Sequence, residues 1–148
     1  ALMIGVALLA FAGSLLIASP DRNPSRMPPR QLAAWVDAAR WVRSNTQSGT
    51  VIVTPFRQWG FRWYAHRAEY VNYKDAPQDA PGLLEWERRQ AVLIDWWESS
   101  PDGRFDGDDL RRLGKATDAE YLVTSASPLR FTIDAVYENG AYRVYKLW

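Results

Sequence analysis

The run ALMIGVALLAFAGSLLIA, residues 1–18, contains no charged side chain, and no other feature narrows the architecture as much. As a helix rising roughly 1.5 Å per residue it would be about 27 Å long, close to the ~30 Å hydrocarbon core of a bilayer. We expect a transmembrane helix, the end of a longer membrane region. A signal sequence is the competing reading, because Ala10, Ala12, Gly13 and Ala18 are small residues of the cleavage-site type. Against it stand the missing initiator Met and basic leader. A buried helix of a soluble protein is the third reading. Gly5, Ala10, Ala12 and Gly13 would also suit packing against neighbouring spans.

Residues 19–30, SPDRNPSRMPPR, hold four prolines and no hydrophobic periodicity, so they read as a linker stiffened by Pro28 and Pro29. Their three arginines favour a cytoplasmic domain after the span, although domains of this size can translocate whatever the local charge. Residues 31–148 are enough for one domain with a core. With 47% hydrophobic residues, general disorder is not expected; a net charge of +1 with acids and bases interspersed argues against a nucleic-acid partner. The chain has no cysteine, which excludes disulfides, Cys-bound zinc and thiol catalysis. Eight tryptophans and seven tyrosines suit places where one end of a ring is apolar and the other wet, such as membrane interfaces and sugar-binding surfaces.

Within residues 31–148, RQLAAWVDAARWVRSNT places Leu32, Trp35, Val36, Ala39 and Val42 at helical spacing, with Asp37, Arg40 and Arg43 largely opposite. TVIVT reads as a strand buried on both faces. FRQWGFRWYAHR reads as a short helix interrupted by Gly60, EYVNY as a second strand, and KDAPQDAPG as a loop. GLLEWERRQAVLIDWWESS is a long helix whose stripe is Leu83, Trp86, Gln90, Leu93 and Trp97, flanked by Leu84 and Ile94. DDLRRLGKAT is a short helix with an acidic start and an interruption at Gly114. AEYLVTS is a third strand. FTIDAVYE and AYRVYKLW form a hairpin about Asn139-Gly140, a pair suited to a type I′ turn. The order predicts an α/β fold: a three-layer domain with a mixed sheet and a C-terminal β-hairpin.

Chemistry-bearing residues are sparse. Asp102, Asp106, Asp108 and Asp109 lack the alternation, glycine and closing glutamate of a calcium loop, and an acidic N-cap explains them. His66 is the only histidine; no nucleophile motif, phosphate loop or metal-ligand spacing accompanies it. Asp37, Glu85, Glu87 and Asp95 lie on helix faces where carboxylates are commonly solvated. No cofactor is expected. One constellation carries a binding reading: Arg62, Trp63, Tyr64, Arg67 and Lys74, with Trp86, Arg88 and Arg89 on the next helix. Arg62 and Lys74 fall near the expected C-terminal ends of adjacent strands, where open α/β sheets place ligands. Guanidinium groups recognise phosphate, and rings stack on sugars. The alternative is internal pairing of Arg with acids and Trp in the core.

The runs WVRSNT (residues 41–46), VIVTP (residues 51–55) and GFR (residues 60–62), then Arg67, a strand ending in Lys74, and EWERR (residues 85–89) resemble the soluble C-terminal domain of uncharacterised polytopic bacterial membrane proteins. Those proteins in turn resemble GT-C type glycosyltransferases, which use lipid-phosphate-linked sugars. Phe56 departs from the pattern, standing where such domains often have a second proline. The resemblance implies an extracytoplasmic accessory domain docked on the transmembrane bundle of its own parent chain, with no catalytic residue in this segment. It implies Arg62, Arg67, Lys74 and Trp86 as positions for packing or for contact with a phosphate or glycan, and the constellation adds Tyr64 and Arg89 as candidate ligand-binding residues. The alternative is a membrane-anchored, non-enzymatic binding module for a protein or an envelope glycan.

Overall fold

A computed structural model describes residues 27–58, 60–128 and 130–148. The expected transmembrane helix over residues 1–18 and most of the linker lie outside these residues. Among the described residues no helix is long and apolar enough to cross a membrane.

Helix α1 (Pro29–Asn45) starts on a proline at its first turn, where the missing N–H costs nothing. It buries Trp35, Ala38, Ala39 and Val42, a three-and-four spacing that puts one stripe on the sheet. A turn at residues 46–50 leads to β1 (Val51–Val53). Gly60, at φ +82°, opens helix α2 (Phe61–Ala65), and His66, at φ +51°, closes it. Strand β2 (Ala68–Glu69) is shorter than the alternation in EYVNY predicts. Asn72 ends it: its side chain accepts from the Lys74 N–H and starts a 3-10 turn over Tyr73–Asp75.

Helix α3 (Ala80–Glu98) is capped by Asp79, whose carboxylate accepts from the Gly82 N–H at 2.8 Å. A β-carbon on Gly82 would lie 2.7 Å from Pro77 and 2.9 Å from Asp79, so that cap needs glycine. Helix α4 (Gly107–Thr117) carries a capping box between Asp106 and Asp109. Gly114 does not interrupt it; a β-carbon there would come within 3.1 Å of Leu147 Cβ, so the glycine lets α4 lie close against the last strand. Strand β3 (Tyr121–Ser125) follows. Of FTIDAVYE only β4 (Tyr137–Glu138) is a strand, and Phe131 instead bridges Phe105. The hairpin closes into β5 (Tyr142–Lys146).

The hairpin turn also differs from expectation. Tyr137 pairs with Val144 and Glu138 with Arg143, which centres the loop on Gly140 and Ala141, with Gly140 at φ +79°. A positive φ at the first central residue is the requirement of a type II′ turn. Asn139 serves as a brace, its Nδ2 donating to Ala34 O at 2.7 Å and its Oδ1 accepting from Tyr142 N at 3.0 Å.

The sheet order is β2-β1-β3-β5-β4. Strand β1 is parallel to β2 and β3, and β5 is antiparallel to β3 and β4, so the sheet is mixed, as predicted. Two cores occupy its faces. Trp35, Val42 and Phe61 pack with Ile52, Val123, Tyr142 and Val144. On the other face Leu110, Leu113 and Trp96 pack with Val53, Leu122, Tyr145 and Leu147. Neighbouring strand residues alternate between the two sets, as a strand covered on both faces demands.

Candidate functional site

The path of the chain across the sheet creates a cleft. From β1 the chain enters β2 on one side, then returns through α3 and α4 to β3 on the other side of β1. Such a reversal parts the connections beyond the C-terminal ends of the two central strands, the place where open α/β sheets hold ligands.

Helix α3 roofs that gap and does not fill it. Near its start the Trp86 indole N–H donates to Asn72 O at 3.0 Å, beyond β2, and Arg89 Nη1 donates to Tyr70 O at 3.0 Å. Near its end the Trp96 N–H donates to Asp109 O at 2.8 Å on α4. The helix therefore crosses from the β2 side to the β3 side. Only Trp96 is buried along it. Of the predicted stripe, Trp86 and Leu93 pack against the edge of the core, and Gln90, Leu93 and Trp97, with Ile94, also line a cleft of about 620 Å³. The opposite wall comes from the ends of β1 (Val53, Thr54, Pro55, Phe56) and β3 (Thr124, Ser125, Ser127, Pro128), with Phe131.

Arg130 stands at one side of the cleft with its guanidinium 5.2 Å from the Trp97 ring centroid. Gly103, at φ +66°, makes room for it, since a β-carbon there would lie 2.7 Å from Arg130 Nη1. Arg130 and Phe131 also border a second depression of about 440 Å³, with Arg104, Arg143, Asp134 and Glu138. Glu138 is paired to Arg143 at 2.7 Å. Neither Arg104 nor Arg130 is ion-paired among the described residues. The site is therefore an apolar, ring-walled trough with hydroxyls at the strand ends and two charged side chains in its lining, Arg130 and Glu98.

Beside it, Thr54 connects the cleft to a buried acid. Its hydroxyl donates to Glu69 Oε1 at 2.6 Å, Asn72 Nδ2 donates to the same oxygen at 3.1 Å, and Arg62 Nε lies 3.9 Å from Oε2. Burial holds the Glu69 carboxyl above the ordinary 4.5, opposed by the two hydrogen bonds and by the charge of Arg62. The folded state thus holds this proton more tightly than the unfolded chain does. The resulting stability is fully present below the unfolded value and is lost as the pH climbs through the folded one. Glu69→Gln is expected to remove that loss. Measured by urea unfolding from about pH 4 to 7, the stability difference should move in the variant's favour as pH rises. A difference flat with pH would refute this account of the carboxyl.

Four of the residues expected at a site gather around residues 69–75, each held from within the chain. Arg62 pairs with Asp75 at 2.9 Å. Lys74 Nζ lies 5.8 Å from the Tyr73 ring. Trp86 bonds Asn72 as described, and Arg89 pairs with Glu85 at 2.8 Å and covers the Tyr70 ring at 5.3 Å. Tyr64 is half-buried against the Trp35 core. Arg67 turns the other way, to the end of α1. None of the six lines the cleft.

Several surface acids are likewise engaged. Hydrogen bonds from Arg88 and Arg89 hold Glu85 down at about 2. Hydrogen bonds from Tyr137 and Asn139 hold Asp37 below its usual range. Asp108 and Asp109 pair with Arg111 and Arg112. Among the described residues no three His, Asp or Glu side chains cluster as metal ligands would.

Residues 33–93 match a family described as a domain of unknown function (DUF6798). The matched stretch runs from α1 into α3 and so supplies Thr54, Phe56, Gln90 and Leu93 of the cleft; Ile94, Trp97 and the β3 wall lie beyond it. No curated protein and no solved structure matches the chain.

Proposed function

We propose that the chain is an accessory binding domain of a multi-span membrane protein, and that the parent is a glycosyltransferase of GT-C type. In this reading the domain holds a lipid-phosphate-linked sugar near the parent's active centre and performs no chemistry itself. The supporting observation is the cleft at the ends of β1 and β3. Its walls are Phe56, Leu93, Trp97 and Phe131, and Arg130 stands at its edge. Its volume of about 620 Å³ lies in the range of small-molecule sites, which are mostly apolar with few polar groups fixing orientation. The first units of an isoprenoid chain suit the rings, and a phosphate suits the guanidinium.

Geranyl phosphate tests this, titrated calorimetrically into the full chain in lipid nanodiscs. Saturable binding is expected, weakened about tenfold by Arg130→Gln, which corresponds to about 1.4 kcal/mol. Binding of geraniol should not respond to that substitution. Absence of saturable binding, or equal affinity of the two ligands, would refute the reading. Binding of a soluble oligosaccharide alone would favour an anchored, non-enzymatic glycan-binding module, whose support is the exposed rings of Trp97 and Trp63.

A further inference from the structure

We infer that the end of the domain formed by the C-terminal ends of β1, β2 and β3 lies against the bilayer surface, with Trp63, Tyr73 and Leu84 seated among the lipid headgroups. The inference rests on the reading of residues 1–18 as a membrane span. It draws on two further observations: where the chain enters the domain, and what that end exposes.

Helix α1 runs down to β1 through a turn of a few residues, so its first turn stands at the far end of β1. Contacts agree: Gln31 Nε2 reaches Tyr142 Oη at 3.4 Å, and Tyr142 Oη reaches Gln58, in the loop after β1, at 3.3 Å. The chain thus enters at the strand-end face. Residues 19–28 separate the apolar run from α1, a tether of at most about 36 Å when fully extended. The opposite end, at residues 47–49, lies further away by the length of α1, about 25 Å for 17 residues.

The strand-end face exposes large apolar side chains. Trp63 is 82% exposed, Tyr73 56% and Leu84 67%. Their elements start at this end. Trp63 lies in α2, which begins from the loop after β1, Tyr73 N bonds Phe56 O beyond β1, and Leu84 lies in the second turn of α3. Cations accompany them: Arg57 is exposed, and the Arg62 and Arg88 side chains are 53% and 58% exposed. Arg62 is paired with Asp75, and Arg88 with Glu85, so each presents an exposed guanidinium whose charge is balanced within the domain. Aromatic rings with a polar tip and basic side chains with apolar stems are the residues that settle at the membrane–water boundary. Rings interleaved with arginines are a pattern that a headgroup layer accommodates, and the short tether to residues 1–18 puts that layer within reach. Docked in this way, the cleft opens near the bilayer, the phase from which a lipid-borne ligand would arrive.

The absence of cysteine makes the test direct. Leu8→Cys, Trp63→Cys, Leu84→Cys and Ser48→Cys chains are each labelled with an environment-sensitive fluorophore. They are reconstituted in vesicles of phosphatidylcholine with a minority of phosphatidylglycerol, and quenched by spin-labelled lipid. Labels at positions 8, 63 and 84 should be quenched, and the label at position 48, at the opposite end, should not. Quenching at 8 alone would overturn the docked face while keeping the span. Loss of quenching at 8 would overturn the span and the docked face together. Equal quenching at 48 and 63 would show a domain with no preferred face and would overturn the inference.

Discussion

Trp35→Ala should cost about 3–5 kcal/mol of unfolding free energy, the largest effect expected of any substitution discussed. Trp35 is fully buried, with ring centroids 5.5 Å from Phe61 and 4.9 Å from Tyr142. Its ring contacts join α1, α2 and the sheet. Alanine is the better helix former at a mid-helix position, so the loss reports packing and the cavity left behind, with no local penalty mixed in. Chemical unfolding at neutral pH in the absence of lipid measures it, and Trp63→Ala is the control, expected within about 0.5 kcal/mol of the parent because its ring is little packed within the domain. Should Trp35→Ala fall within ~1 kcal/mol of the parent, the Trp35 core would not be the main source of cohesion on that face.

Arg67→Ala comes next, with an expected loss of about 2–3 kcal/mol. Its guanidinium donates to Thr46 Oγ1 at 2.9 Å, Thr46 O at 2.6 Å, Arg43 O at 2.8 Å and His66 O at 2.9 Å. Two of these acceptors belong to the end of α1, where carbonyls lack intrahelical partners and carry partial negative charge. The same group fastens the left-handed turn at His66 to that helix end. Part of it meets solvent, which keeps the figure below the sum of four charged hydrogen bonds. Arg67→Lys should recover little, because one ammonium cannot span acceptors arranged for a planar fork. Full recovery by lysine in thermal unfolding would mean that charge alone matters there.

Much of the fold was legible because local pattern and tertiary role agree. Trp35, Ala39 and Val42 repeat at helical spacing and are buried; VIV is β-branched and covered on both faces. Where they disagree, pattern misleads. EYVNY alternates like a strand, but Asn72 uses its amide on Gln58 O and Glu69 and on the Lys74 N–H, and the strand stops. FTIDAVYE alternates too, yet Phe131 is drawn to Phe105 and Tyr145. The stripe on α3 is a true face, but periodicity does not say where along it Trp86 and Leu93 meet the core and where Gln90 and Trp97 wall a cleft.

The cleft itself was hidden for a topological reason. The rule of strand ends was applied to Arg62 and Lys74, beside β1 and β2, whereas the chain reverses between β1 and β3. Its walls come from residues near 54, 93 and 128, which only the strand order unites. Applied to the strand AEYLVTS, the same rule would have pointed to Ser127 and Arg130. Their surroundings hold no motif, so composition offered no second signal.

Helix α3 is held to the rest of the domain by few contacts, the indole bonds of Trp86 and Trp96, the Arg89 bond to Tyr70 and the packing of Leu93, with one of its 19 residues buried. Its cooperative unit is therefore separable from the sheet. In native-state hydrogen exchange its central amides should report a sub-global opening of lower free energy than the amides of β1 and β3, and ligand in the cleft should slow that opening alone. The two tryptophans then act as a pair of latches: releasing either frees an end of the roof while the strands beneath keep their register.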